Sequence, residues 1–312
     1  MKIIPLERIK EILPSLDLIP AIETGFAAYS NGHAVVPPVG ELLLDKGEVH
    51  IKYGYLKKDE YYVIKIASGF YDNPKLGLPS GNGLMLLFSQ KTGELVSILL
   101  DEGYLTDIRT AIAGAITAKF LAPESIERIG IVGTGIQARL QLSYLSQVID
   151  CRQVLVWGRG DIQLAKYKIE MEKQDFEIKN TLTAADILRT CNLIVTTTPS
   201  TTPLLSASDL QTGTHITAVG SDTPDKQELD SAILSRADIV VADSISQCMI
   251  RGEIFKAIQA SQISPDDLTE LGDIITGKKQ GRTDDNQITV ADLTGVAVQD
   301  IKITEAVYKA FV

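Results

Sequence analysis

Between Pro123 and the C-terminus, five short and nearly all-apolar segments recur: 128–133 (RIGIVG), 153–158 (QVLVWG), 192–198 (NLIVTTT), 214–220 (THITAVG) and 238–243 (DIVVAD). Each is too short for a buried helix, and amphipathic stretches separate them. In 136–149, Ala138, Leu142, Leu145 and Ile149 form one helical stripe. Strands apolar on both faces, alternating with helices, predict a parallel sheet covered on both sides, the doubly wound Rossmann arrangement. The preceding region has another texture. In 47–55, Val49, Ile51, Tyr53 and Tyr55 alternate with Glu48, His50 and Lys52, and strand-like runs follow at 60–68, 83–90 and 94–101. With Lys91-Thr92-Gly93 as a turn, this reads as an antiparallel sheet. A helix rich in small residues follows over 105–122, and another closes the chain at 303–311. The reading is therefore α/β: a Rossmann domain over 115–294, and an α+β domain over 1–114 that also takes 295–312.

Composition narrows the function. A net charge of −10 with no basic stripe argues against nucleic acid. No apolar run reaches the roughly 18–20 residues of a membrane helix, and the first 20 residues lack a secretory core. Three scattered cysteines and three distant histidines suggest neither disulfides nor a metal site. The expectation is a cytoplasmic protein without a metal.

Gly133-Thr134-Gly135-Ile136-Gln137-Ala138 follows the first parallel strand and opens a helix. In that context Gly-x-Gly-x-x-Ala is a dinucleotide fingerprint. Gly133 makes the tight turn, Gly135 admits the pyrophosphate, and Ala138 lets helix and strand pack closely. At the end of the second strand, where NAD sites carry an acid, the sequence is Gly158-Arg159-Gly160-Asp161. Arg159 is placed to pair with a 2′-phosphate, which favours NADP(H). NAD(H) remains open if Asp161 takes the ribose.

Three cations and one acid are candidates for the site. Lys65 lies in a strand apolar on both faces, and either snorkels at an edge or meets an anion. Lys52 shares that choice. Arg109, near a helix start with Thr106 or Asp107 as cap, opposes the dipole, so a substrate carboxylate or a salt bridge to Asp107 or Asp101 should compensate. Asp222 follows a parallel strand at its carboxyl end, as a proton-handling group, or as a helix cap or turn residue before Pro224.

The runs LLDEGYLTDIRTAIAGAITAKFLA, IGIVGTGIQARLQL, VTTTPSTTPLL, GTHITAVGSDTPDKQELD and ITVADLTGVAVQD resemble the ornithine cyclodeaminase/μ-crystallin family. The resemblance implies a homodimer built through the N-terminal sheet domain, and an active site between the domains. It implies that Lys65 and Arg109 bind the substrate carboxylate and that Asp222 handles the proton. It places Thr197, Thr198 and Pro199 over the dinucleotide, with Val219, and Gly295 and Val296 near the nicotinamide. Some members have Pro-Pro-Arg where this chain has Pro37-Pro38-Val39. True ornithine cyclodeaminases have a glutamate where Lys52 stands, whereas a basic, carboxylate-binding residue implies a dehydrogenase. Ser80 and Asn82 either line the substrate pocket or form a turn. The expected activity is an NAD(P)H-dependent reductase or dehydrogenase of a small imino or amino acid. Ornithine cyclodeamination and non-catalytic NADPH-dependent ligand binding are the alternatives.

Overall fold

The computed structural model describes all 312 residues. They form two compact units, Met1–Arg109 with Val296–Val312, and Thr110–Gly295. No helix is long and apolar enough to cross a membrane.

The first unit is built on seven strands: β1 (Lys2–Pro5), β2 (Ala34–Val35), β3 (Gly40–Leu44), β4 (Gly47–Leu56), β5 (Tyr61–Gly69), β6 (Gly81–Ser89) and β7 (Leu95–Leu100). Their order is β1-β7-β6-β5-β4-β2, with β3 also on β4. The sheet is not purely antiparallel, because β1 runs parallel to β7 at its edge. Helices α1 (Leu6–Ile12), α2 (Leu18–Ser30) and α11 (Ala297–Phe311) belong to the same unit, and α11 packs on β4, β5, β6 and α2. At Gly25 a Cβ would stand 2.9 Å from Lys302 Cγ, so only glycine lets α2 approach α11 this closely.

Strand parity gives the sheet two unlike faces. One carries Ile4, Val63, Met85, Leu87 and Leu99, all buried, with Leu56, Val63 and Leu87 clustered against Ile301 of α11. The opposite face carries Tyr53, Ile64, Leu86 and Ile98 in one cross-strand row, beside Ile66 and Leu84. Those residues are half-buried or exposed. The alternation expected in β4 is present, but its buried side is the one bearing His50 and Lys52. Tyr53 and its apolar companions face outward. Parity sets which residues share a face. What covers each face decides which is inside, and α11 covers the Lys52 side.

The second unit has eight strands: β8 (Ile129–Val132), β9 (Gln153–Trp157), β10 (Glu177–Thr181), β11 (Leu193–Thr196), β12 (His215–Ala218), β13 (Ile239–Ala242), β14 (Leu268–Glu270) and β15 (Thr289–Asp292). All pair in parallel, in the order β10-β9-β8-β11-β12-β15-β13-β14. Connecting helices are α3 (Tyr104–Leu121), which begins in the first unit, α4 (Ile136–Leu145), α5 (Asp161–Met171), α6 (Ala185–Thr190), α7 (Ser231–Ser235), α8 (Ile245–Cys248), α9 (Gly252–Gln259) and α10 (Leu271–Ile275). Helix α4 stops short of Ile149. Ser146 ends it, turning its hydroxyl back to the Ser143 carbonyl at 2.7 Å. The chain leaves β8 toward β9 and β10, then returns to β11 on the other side. That reversal is the switch point at which such sheets bind ligands, outside the strands' carboxyl ends.

Candidate active site

In the first unit, register sets Lys52 directly opposite Lys65 on neighbouring strands. Like charges so placed repel, and burial adds a desolvation cost. Lys65 is 1% exposed, and Lys52 and Arg109 5% each. The counter-charge is Asp300, in the first turn of α11 and wholly buried. Its Oδ2 lies 3.3 Å from Lys65 Nζ and its Oδ1 3.0 Å from Arg109 Nε. Arg109 also donates to Gln299 Oε1 at 3.0 Å. Burial pushes the Lys65 pKa down to about 7, helped by Arg109 and Lys52 and opposed by Asp300. Burial works against the Asp300 carboxylate too, but Arg109, Lys65 and Lys52 outweigh it and hold its pKa below the usual range. Three buried cations around one buried carboxylate leave positive charge that suits a further anion.

Arg109 does not lie in a first helical turn. Helix α3 starts at Tyr104, and Asp101 Oδ2 accepts the Leu105 N–H at 2.8 Å. The cap is thus Asp101, not Thr106 or Asp107, and the partners of Arg109 are Asp300 and Gln299. Asn82 lies near the start of β6 and Ser80 just before that strand. The Ser80 carbonyl accepts from Phe70 N at 2.7 Å, exposed Asn82 turns its Oδ1 onto Gly83 N at 2.7 Å, and Lys65 instead faces Met85. In these contacts both residues do turn chemistry.

In the second unit, Gly133 has φ +121°, and a Cβ there would lie 2.6 Å from Thr197 Oγ1, so a side chain has neither the conformation nor the room. Thr197 N donates to Val132 O at 2.9 Å, which closes this loop against β8. Gly135 precedes α4 and has open space where a Cβ would be; no side chain caps the helix. An open glycine before an uncapped helix N-terminus, with Ile136 exposed and Ala138 buried, fits a dinucleotide pyrophosphate. Gln137 is the second residue of α4. Arg139 donates to the Thr134 and Gly135 carbonyls and pairs with Glu170. Arg159 is exposed just past β9, and Asp161 opens α5. Pro199 is exposed, Val219 is buried beyond β12, and Gly295 at φ +81° donates to Asp243 Oδ2 at 2.6 Å. Val296 is buried before α11.

Asp222 lies in the loop after β12 and caps no helix. Its Oδ1 accepts from Lys226 Nζ at 2.7 Å, and Arg251 Nη1 donates to its carbonyl at 3.3 Å. Behind that loop lie buried acids that sequence reasoning did not single out. Burial pushes Glu228 up to about 7, and Glu253 up to about 8 with help from Glu228. Asp300 was also missed, although a signal existed. It lies three residues before Ile303 and seven before Val307, on the apolar stripe of α11, where an acid needs a cation.

The sequence matches the ornithine cyclodeaminase/mu-crystallin family over residues 3–312. The chain belongs to this family. An uncharacterized cyclodeaminase of Sinorhizobium fredii is 43% identical, covering 99% of this chain and 95% of the relative. An archaeal alanine dehydrogenase, solved as a dimer with bound NAD, is 33% identical, with TM-score 0.91 and coverage of 99% and 95%. The Δ1-pyrroline-2-carboxylate reductase of Thermococcus litoralis, solved with NADH and L-proline, is 27% identical, with TM-score 0.94 and coverage of 99% and 97%. Family membership thus spans both units, including the sheet with the buried cations.

Removing the shared counter-ion is expected to destabilise the first unit. Asp300→Asn should lower stability by about 3–5 kcal/mol in urea denaturation, since it leaves Lys65 and Arg109 buried without their anion. A variant as stable as the parent would show that Asp300 is not their counter-charge.

Proposed function

We propose that the protein is a nicotinamide-dependent reductase of a small α-imino acid, delivering hydride to a C=N carbon and a proton to its nitrogen. The observation that carries this reading is the buried Lys65–Asp300–Arg109 cluster, in a chain whose other unit presents an open dinucleotide loop. Lys65 and Arg109 hold the substrate carboxylate, with Lys52 adding to the field. Anchoring that group fixes which face of the C=N bond is presented, and therefore the stereochemistry. When bound, the reduced nicotinamide supplies the hydride. The proton reaches the nitrogen through Asp222, whose carboxylate takes it from the Lys226 ammonium paired with it. The names of the relatives support the substrate class: one acts on alanine, another on pyrroline-2-carboxylate. For the cofactor, Arg159 at the end of β9, with no acid before α5, supports NADP(H); the NAD and NADH of the two solved relatives support NAD(H) as well.

A second reading, ornithine cyclodeamination, is favoured by the name of the 43% relative. Against it stands Lys52, buried opposite Lys65. A lysine there adds to the field that holds a carboxylate and repels a substrate ammonium.

The outward face of the first unit's sheet supports a homodimer. Ile64, Ile66, Leu84, Leu86 and Ile98 form a contiguous apolar surface, larger in kind than scattered exposed residues. The archaeal relative is described as a dimer.

Four outcomes are expected. Purified protein should oxidise NADPH, and more slowly NADH, with Δ1-pyrroline-2-carboxylate or with pyruvate plus ammonia. Asp222→Asn should lose at least about 100-fold in kcat while still binding cofactor. Ammonia release from L-ornithine with catalytic NAD, and no turnover of imines, would move the assignment to the cyclodeaminase. The pH profile follows from Lys65, whose ammonium is present below about pH 7 and lost above it. The value of kcat/KM should therefore fall as pH rises through about 7; a profile flat to pH 9 would remove Lys65 from the clamp. Finally, Ile66→Glu combined with Leu86→Glu should give a monomer in light scattering. An unchanged dimer would place the interface elsewhere.

A further inference from the structure

The loops leaving β11 and β12 touch through their backbones. A Cβ on Gly220 would penetrate the Thr198 backbone N and O, so only glycine fits. Two peptide segments this close need a common partner for their N–H groups, and one buried side chain provides it. Glu228 Oε1 accepts from Thr198 N at 2.6 Å and from Thr198 Oγ1 at 2.8 Å. Its Oε2 accepts from Gly220 N at 2.9 Å and from Thr196 Oγ1 at 2.7 Å. Glu228 is itself anchored by its backbone. Its N–H donates to Glu253 Oε1 at 2.6 Å, and its carbonyl accepts from Leu204 N at 2.7 Å. The residue is wholly buried.

We propose that Glu228 is the positioning residue of the dinucleotide half of the site: its carboxylate clasps the Thr197–Thr198–Pro199 loop to the Gly220–Ser221–Asp222 loop. This rests on the proposed function, in which the second loop carries the proton donor, and on the family resemblance, which implies that the first loop lies over the cofactor. One side chain then sets two distances at once, that of the Thr198 loop from the dinucleotide and that of Asp222 from the reacting nitrogen. The chemistry of the four partners fixes the residue type. Two are backbone N–H groups, which can only donate, and they stand on different oxygens. Only a carboxylate accepts on both. A glutamine must turn its NH2 toward one of those N–H groups whichever way it is placed, so one loop is released. An aspartate keeps both acceptors but is one methylene short.

The test uses the full-length protein. Dissociation constants for NADH and NADPH are measured by fluorescence titration, turnover with Δ1-pyrroline-2-carboxylate, and amide exchange at Thr198 and Gly220 by mass spectrometry. Glu228→Gln should weaken cofactor binding and lower kcat each by about tenfold or more, with exchange at one or both amides accelerated by a similar factor. Glu228→Asp should shift all three in the same direction. If Glu228→Gln does not fold, Glu228→Asp carries the test alone. A variant that melts at a lower temperature, yet binds cofactor and turns over normally once folded, would overturn the proposal, as would unchanged exchange at both amides. If the wild type binds neither dinucleotide, the failure lies with the proposed function. Amide exchange then still decides whether Glu228 clasps the two loops.

Discussion

A carboxylate with a cation on each oxygen ties together three parts of the first unit. Asp300 comes from the last helix, Lys65 from the middle of the sheet, and Arg109 from the helix that leads into the second unit. None of the three is tolerable where it is without the others. An isolated buried ion costs several kcal/mol even after relaxation, and two lysines opposed on adjacent strands add repulsion. Hydrophobic residues of similar volume would be at least as stable there, so the cluster is better explained by what it can bind than by what it stabilises. The same electrostatics that lowers the proton affinity of Lys65 prepares it to gain from an arriving anion, whose charge raises that affinity again.

The second unit solves a different problem with the opposite sign of charge. Its loops at the carboxyl ends of β8, β11 and β12 must approach one another closely, and glycines at 133 and 220 make the room. The N–H groups exposed by that approach are divided between an open helix terminus, which faces outward, and buried carboxylates, which face inward. Glu228 and Glu253 carry the inward share. Because burial raises their proton affinity toward neutrality, the acids behind the loops bear less negative charge than their number suggests.

Much of this was legible in the sequence, and the illegible parts have physical causes. The five apolar segments became β8, β9, β11, β12 and β13, because a strand buried on both faces is mostly apolar and keeps a polar residue only with a partner, as His215 and Thr217 of β12 bond each other. Strand β10 was missed: as an edge strand it needs only one buried residue, Ile178, and its sequence is otherwise polar. Strand β1 was missed because four residues leave no periodicity to read. In β4 the alternation was read correctly, but parity alone does not say which side a distant helix will cover. The fingerprint was legible because backbone geometry demands glycine at Gly133 whatever surrounds it. Asp300 was legible only as an acid on an apolar helical stripe; its partners lie 235 and 191 positions earlier in the chain, and no local pattern names them.

The return of α11 to the N-terminal sheet also has a consequence in time. On the ribosome, the strands carrying Lys65 are complete long before residue 300 is made, while every strand of the second unit precedes α11. The cationic face of the first sheet therefore emerges with neither its apolar cover nor its counter-ion. It waits for both until residue 300 has been made. The part of the chain that is made first is the part that can be finished only last.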